Sequence, residues 1–505
     1  MMEILNSVQM ANADKYTIEK IGIPSTVLME NAASGIAEVI KNLDVKKNKI
    51  AVFAGSGNNG GDGITLTRKC FDAGYKVDLY LTSSPEKLKG DPLLNYNILQ
   101  YYPVRIFNAF EDNLPEDYDI IVDSIFGTGL SRPVEGKYKS LIKELNELPG
   151  FKIAVDMPSG LAGNTNAVIG ECFRADVTVT MCRAKIPHKI YPAKKFCGKV
   201  EVVDISIPDF AVTNVQPDIY EITEKNIEKL NKREPDSHKG KFGHAVIIGG
   251  SAGKTGAALM ASKSCAKAGA GLTTTVIPSA LNLAAELGNP EVMSFPAGSG
   301  DYFSANDAKE VTEFINDKTV AAIGPGMGRD DKTIEFIKRI IAATNLPLVI
   351  DADGLYGLDK NDFEKLRFRS IITPHIGEFA RIVNKTNEEV INNKLDLVRE
   401  FSTDYGIVTV LKSADTIIGI PDGTIFVLNT GTPALAKGGS GDCLTGLITS
   451  FVSQNCTLKN SAVYGSWILG KTAEHLTKKY NERTILTSDL IDNLWIEINE
   501  LYRNN

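Results

Sequence analysis

Short apolar runs alternate along the chain with longer segments in which apolar residues recur every three or four positions. In residues 26–43, TVLMENAASGIAEVIKNL, Leu28, Ala32, Ile36 and Val39 share one face, which predicts an amphipathic helix. KIAVFAG (49–55) then reads as a strand, GSGNNGGDG (55–63) as a loop, ITLTRKCFDAGY as a helix and VDLYLT (77–82) as the next strand. Further strands are expected at DIIVDSIF (119–126), KIAVDMPSG (152–160), ADVTVTMC (175–182) and KVEVVDISI (199–207). Strands alternating with helices predict a doubly wound, Rossmann-like three-layer sandwich.

The pattern lapses over 208–243, a stretch with three prolines and many charges, and a domain boundary is expected near 213–225. Beyond it, HAVII (244–248) reads as a strand and 257–268 as a helix with small residues against a sheet. TTTVIP (273–278), AAIGPG (321–326), PLVIDAD (347–353), SIITPH (370–375), IVTVLKS (407–413), DTIIGIP (415–421) and TIFVLN (424–429) supply further strands, with KTIEFIKRIIAAT as a helix between two of them. The fold class is therefore α/β with two domains, the second again built on a large, mostly parallel sheet. Pro325, Gly326 and Pro374 at strand ends point to loops gathered on one edge.

Composition narrows the function classes. A chain of 505 residues with 43% hydrophobic and 23% charged residues has material for two or three cores. The net charge of -7 and the shortness of basic patches such as Lys194-Lys195 argue against nucleic acid or an anionic membrane as partner. No apolar run reaches membrane-spanning length, and the N-terminus shows no secretory pattern. Seven dispersed cysteines without CxxC pairs, and histidines without metal-ligand spacing, suggest reduced thiols in a cytoplasmic enzyme.

Two glycine-rich loops carry the candidate chemistry. Residues 55–60 satisfy GxGxxG, so a dinucleotide oxidoreductase is one reading. Against it, Asp78 stands near the start of its strand rather than the end, and the polar run Gly61-Asp62-Gly63 falls where the fingerprint expects a helix to begin. Asn58, Asn59 and Asp62, together with Asp123, Asp156 and Ser159 at later strand ends, offer oxygen donors that would suit a hard cation; simple capping is the alternative reading of the strand-end residues. In the second half Gly253-Lys254-Thr255 resembles the end of a P-loop, but Ile248 stands where that motif needs its first glycine.

The most informative stretch is GTPALAKGGSGDCLTGLITSFV (431–452). Glycines before an apolar helix can gather amide N–H groups around an anion, and the helix dipole adds to the same spot. Asp442 would then stand beside a bound phosphate as a base. The alternative is a glycine turn with Asp442 as an N-cap.

These residues also carry resemblances. MENAA (29–33), GSGNNGGDG, DSIFGTGL (123–130) and VDMPSG (155–160) resemble the NAD(P)H-hydrate epimerase family over residues 1–213. The resemblance implies potassium held by Asn59, Asp123 and Ser159. It implies substrate contacts from Asn58, Asn59, Gly60, Gly61 and Asp62, from Gly127, Thr128, Gly129, Leu130, Ser131, Arg132 and Pro133, and from Asp156. Inversion at ring C6 needs an acid/base carboxylate; if Asp123 holds potassium, Asp156 is the freer to move protons.

GSAGKTGAALMASKSCAKAGAGL, GPGMG (324–328), DADGL (351–355), TPHIGEF (373–379), KSADT (412–416) and GGSGD (438–442) resemble the NAD(P)H-hydrate dehydratases over residues 225–501, which implies a ribokinase-like fold. Hydrate contacts are implied at Ala258, Gly326, His375 and Asp442, with Asp442 catalytic, and nucleotide contacts at Lys412, Ser413, Ala414, Asp415, Thr416 and Gly441. Ser413 stands where relatives more often have glycine. The resemblances imply NADH hydrate and NADPH hydrate as substrates, ADP with magnesium as phosphoryl donor, and a homo-oligomer. A thiamine-precursor-type kinase fused to a nucleotide-binding module is the alternative reading, and a scaffold without activity a further one.

Overall fold

A computed structural model describes residues 2–114 and 117–502, so Met1, where the first domain is expected to begin, lies outside the described residues. The chain forms two compact units, the first Glu3–Ile219 and the second beginning at Tyr220.

In the first unit seven strands form one sheet: β1 (Lys49–Ala54), β2 (Lys76–Leu81), β3 (Arg105–Asn108), β4 (Ile120–Ser124), β5 (Phe151–Val155), β6 (Val177–Met181) and β7 (Lys199–Val203). Their order is β3-β2-β1-β4-β5-β6-β7, and every pairing is parallel. Side chains alternate between two cores. Ile50, Val52 and Ala54 join the layer that holds Leu28, Ala32 and Ile36 of helix α2 (Ser25–Asn42), which follows α1 (Ser7–Tyr16), while Ala51 and Phe53 join Leu141, Ile142 and Leu145 of another helix, Gly136–Glu147. Burial on both faces is why these strands read as unbroken apolar runs. The strand order reverses between β1 and β4, and in open sheets of this kind ligands bind in the crevice beyond the strand ends at that point.

Helix α3 spans Asn58–Asp72, so most of the expected loop 55–63 is helical. The expectation that Gly61-Asp62-Gly63 precedes the helix is thus corrected. Glycine is a poor helix former, but here it is required by packing. A Cβ on Gly60 would stand 1.9 Å from the Gly55 carbonyl oxygen.

The second unit holds a nine-stranded run: β8 (His244–Ile248), β9 (Leu272–Pro278), β10 (Met293–Ala297), β11 (Val320–Ile323), β12 (Leu348–Ile350), β13 (Ser370–Ile372), β14 (Val408–Leu411), β15 (Thr416–Gly419) and β16 (Ile425–Leu428). The order is β10-β9-β8-β11-β12-β13-β14-β15-β16, parallel as far as β14 and antiparallel over the last two pairings. Helix α4 (Ser440–Ser453) is buried from Cys443 to Ser453, so the GGSGD loop opens onto a helix fixed in the core.

Candidate active sites

In the first unit the loops after β1, β4 and β5 meet at the switch point around a cavity of about 670 Å³. Asn58, Asn59, Asp62, residues 127–132 and Asp156 line it; Gly60, Gly61 and Pro133 do not. Asp123 and Ser159 are fully buried and joined to each other. Ser159 donates its hydroxyl to Asp123 Oδ1 and its amide to Oδ2, each at 2.7 Å. Phe126 donates its amide to Ser159 Oγ at 2.9 Å, and the next residue, Gly127, lies against the Asn59 side chain. Both polar atoms of the Asn59 amide are buried without a hydrogen-bond partner. Burial pushes the Asp123 carboxyl up to about 6, against the hydrogen bonds from Ser159. An orphaned amide beside a buried carboxylate and hydroxyl fits a hard cation held by oxygen.

Asp156 follows β5 with a backbone φ of 64°. Its Oδ1 accepts from Lys185 Nζ at 2.7 Å and from Thr180 Oγ1 at 3.0 Å. Lys185 is 1% exposed and also donates to Thr180 Oγ1 and the Met181 carbonyl. Burial alone would raise the Asp156 carboxyl, but Lys185 outweighs it and holds the group below the usual range. Far from being loosely held, Asp156 is locked in an ion pair. Two other carboxylates on this cavity behave oppositely. Burial raises Asp14 to about 6, and burial with the charges of Asp156 and Asp14 raises Asp62 well above its ordinary value.

Sequence reasoning missed Lys185 and Asp14. Lys185 lies after the last recognised motif of this half, and nothing in AKIPHK announces a buried cation. Asp14 lies on helix Ser7–Tyr16, where buried Met10 and Ala13 mark the inner side. A carboxylate in such a polar segment reads as solvated surface. The rival dinucleotide reading loses its remaining support, because Asp78 is buried and bound by Arg105 Nε at 2.8 Å and Tyr118 OH at 2.7 Å.

In the second unit helix α4 starts from Gly439, whose φ of 93° only glycine adopts readily, and no side chain caps it. Ser440 turns its hydroxyl back to the carbonyls of Leu435 and Lys437. Among the described residues the amides of Gly441 and Asp442 find no carbonyl acceptor. Two open N–H groups at the start of a long buried helix make an anion site. Asp442 is therefore not the N-cap. Burial, then the charge of Asp351, raises its carboxyl to about 7.

Beneath this loop lies a charged pair. Lys412 Nζ donates to Asp351 Oδ1 at 2.6 Å, and Thr445 Oγ1 donates to Asp351 Oδ2 at 2.8 Å. A Cβ on Gly441 would sit 3.2 Å from that ammonium. Lys412 is thus paired with Asp351 through one of its three donors. Asp415 is buried and accepts from Lys394 Nζ at 2.5 Å, while Ser413 donates its hydroxyl to the Asp415 carbonyl at 2.6 Å. Ala414 is exposed and Thr416 opens β15. His375 caps helix Ile376–Ile382, its Nδ1 accepting from the amides of Gly377 and Glu378, with the ring exposed. Ala258 has no exposed surface, and the Gly326 carbonyl accepts from Ser251 Oγ at 2.7 Å. The site also holds two cations, Lys254 from the stretch that resembles a P-loop end and Arg329, which the sequence did not single out. Arg329 Nε and Lys254 Nζ both reach Asp353, at 2.6 and 3.3 Å.

Fold and sites together define an α/β enzyme of two domains, each with a buried carboxyl near the start of a glycine-led helix. Residues 245–495 match the NAD(P)H-hydrate dehydratase family and residues 25–186 the family described as YjeF-related protein N-terminus. A bifunctional NAD(P)H-hydrate repair enzyme of Moorella thermoacetica is 31% identical over 97% of this chain and 96% of its own length. One from Methanothermobacter thermautotrophicus is likewise 31% identical, over 97% and 94%. Among solved structures, the ADP/ATP-dependent NAD(P)H-hydrate dehydratase of Bacillus subtilis is 26% identical with a TM-score of 0.47, covering 55% of this chain and 97% of that one. The chain belongs to the family of bifunctional NAD(P)H-hydrate repair enzymes.

Proposed function

We propose that residues 1–213 interconvert the R and S forms of NADH hydrate and NADPH hydrate at C6. Residues 225–501 then dehydrate the S form, converting ADP to AMP and phosphate. The observation that carries the second step is Asp442, a carboxyl titrating at about 7 beside two open amides of a buried helix.

Hydroxide is a poor leaving group, so the C6 hydroxyl is phosphorylated first. Asp442 takes the hydroxyl proton as the oxygen attacks the β-phosphorus of ADP, and AMP leaves with the electrons of the broken P–O bond. The amides at residues 441 and 442 face the charge that develops on the phosphoryl oxygens. Phosphate then departs from C6 with its bonding pair, pushed by the N1 lone pair. Loss of a C5 proton restores the dihydronicotinamide ring. Among the described residues no group of three or more His, Cys, Asp or Glu is placed to hold a metal. Magnesium would bind with the nucleotide phosphates and offset their charge.

In the first unit Asn59, Asp123 and Ser159 would hold potassium, which supplies a fixed positive charge beside the cavity. The unsatisfied Asn59 amide supports this assignment. The proposed location is the cytoplasm, from the dispersed cysteines, and the proposed state a homo-oligomer, from the family resemblance; no helix among the described residues is long and apolar enough to cross a membrane.

The test is AMP formation from ADP with purified S-hydrate, using the wild-type chain and Asp442→Asn. Wild-type AMP should equal the NADH regenerated, and the variant should be about 10²–10⁴-fold slower, as for loss of a general base. AMP formation at the wild-type rate in the variant would remove Asp442 from the chemistry. Exchanging potassium for lithium should slow R-to-S conversion and leave dehydration of S-hydrate unchanged.

A further inference from the structure

Asp156, the carboxylate that the sequence marks for acid/base work in the first unit, is tied to a buried lysine. A carboxylate held ionised by a neighbouring ammonium is a poor proton donor. Asp14, Asp62 and Asp91 also line this cavity, and Asp14 and Asp62, the two that burial raises, hydrogen-bond through their carboxylates to no side chain or backbone group among the described residues. They come from different elements. Asp62 is on α3, whose N-terminal end opens into the cavity, and Asp14 is on helix Ser7–Tyr16. That helix runs directly into a π-helical turn, Thr17–Ile21, a distortion found most often at functional sites. Asp14 also precedes residue 25, where the family match begins.

We propose that Asp14 and Asp62 are the groups that exchange protons with the hydrate ring during inversion at C6. The inference rests on the epimerase reading of this unit. C6 carries both a hydroxyl and the ring nitrogen N1, so it opens as a hemiaminal. One carboxylate takes the hydroxyl proton, the C6=O bond forms, and the C6–N1 bond breaks with its pair going to N1. The other carboxyl gives N1 a proton. Rotation about the C5–C6 single bond presents the opposite carbonyl face. N1 then adds back while the protons return, so the cycle consumes none.

Such a cycle needs one carboxyl protonated and one ionised near neutral pH. Burial raises both groups, Asp14 to about 6 and Asp62 well above its ordinary value. The charges facing them are Asp156, which raises both, Asp91 from helix Gly90–Leu99, which raises Asp62, and Lys185, which lowers both. At Asp14 burial outweighs Lys185, whose effect exceeds that of Asp156; at Asp62 burial, Asp156 and Asp14 each outweigh it.

The test uses the full-length chain, R-hydrate separated from S-hydrate, and chromatographic measurement of R-to-S conversion across pH. Asp14→Asn should lower kcat for inversion by about 10²–10⁴-fold with KM held within about threefold, since a group acting only in the transition state affects kcat. The rise of wild-type log kcat on the acid side should disappear in Asp14→Asn and be displaced in Asp14→Glu, which should regain part of the rate. Undiminished dehydration of S-hydrate by the same preparation shows that the chain is folded. Inversion at the wild-type kcat in Asp14→Asn, or a change confined to KM, overturns the proposal. If Asp14→Asn loses both activities, Asp14→Glu decides: an unmoved acid limb overturns the proposal and a displaced one supports it. A wild-type chain that dehydrates S-hydrate but never inverts R-hydrate overturns the epimerase reading itself.

Discussion

Asp442 owes its chemistry to position. It stands in the first turn of a helix that the core holds along its length, where burial and Asp351 raise its carboxyl to about 7. A base must be ionised to act, so dehydration should slow as pH falls through 7. At pH 6 only about a tenth of the plateau rate should remain, and above pH 8 the rate should be level. A flat rate between pH 5.5 and 8 under saturating substrate would contradict this assignment. A second residue-scale expectation concerns stability. Lys394 and Asp415 are 3% and 0% exposed and form a 2.5 Å pair. Lys394→Met takes the cation away from a buried carboxylate and should cost about 3–5 kcal/mol in urea unfolding. The double variant with Asp415→Leu should recover most of that loss. At this scale the sequence revealed the residues that sit in recognisable spacings, such as Asp442 after its glycines. It concealed Lys185, Asp14 and Lys394, because their roles come from burial and from partners distant along the chain.

At the scale of elements, both sites depend on helices that begin with glycine rather than a capping side chain, which leaves their first amides open. The cost is strict packing. Gly60→Ala improves helix propensity by about 1 kcal/mol but places a methyl 1.9 Å from the Gly55 carbonyl oxygen. Overpacking of this kind costs about 1–3 kcal/mol, and a contact this short belongs at the upper end, so the melting temperature should fall. A rise on thermal denaturation would show that the α3 start relaxes freely. Strands buried on both faces were legible as apolar runs, β1, β4 and β8 among them. The edge strands β3 and β10 were not, since RIFN and MSFPA are short and partly exposed. The start of α3 was misplaced because the close approach of Gly60 to Gly55 overrides local propensity.

At the scale of the molecule, two units with separate cores serve one substrate pool. A dehydratase that accepts one C6 epimer leaves the other stranded, and the attached epimerase makes it usable. If hydrate moves between sites through solution, an Asp442→Asn chain mixed with an Asp14→Asn chain should restore all the NADH that neither variant restores alone from a mixed-epimer hydrate. The most direct test of the central claim is absorbance at 340 nm after the wild-type chain is added to mixed-epimer NADH hydrate with ADP, magnesium and potassium. Recovery should proceed to all of the NADH, with the second epimer consumed at the rate of its inversion. A halt when only the S form is spent would contradict the epimerase half, and no recovery with either ADP or ATP would contradict the account as a whole.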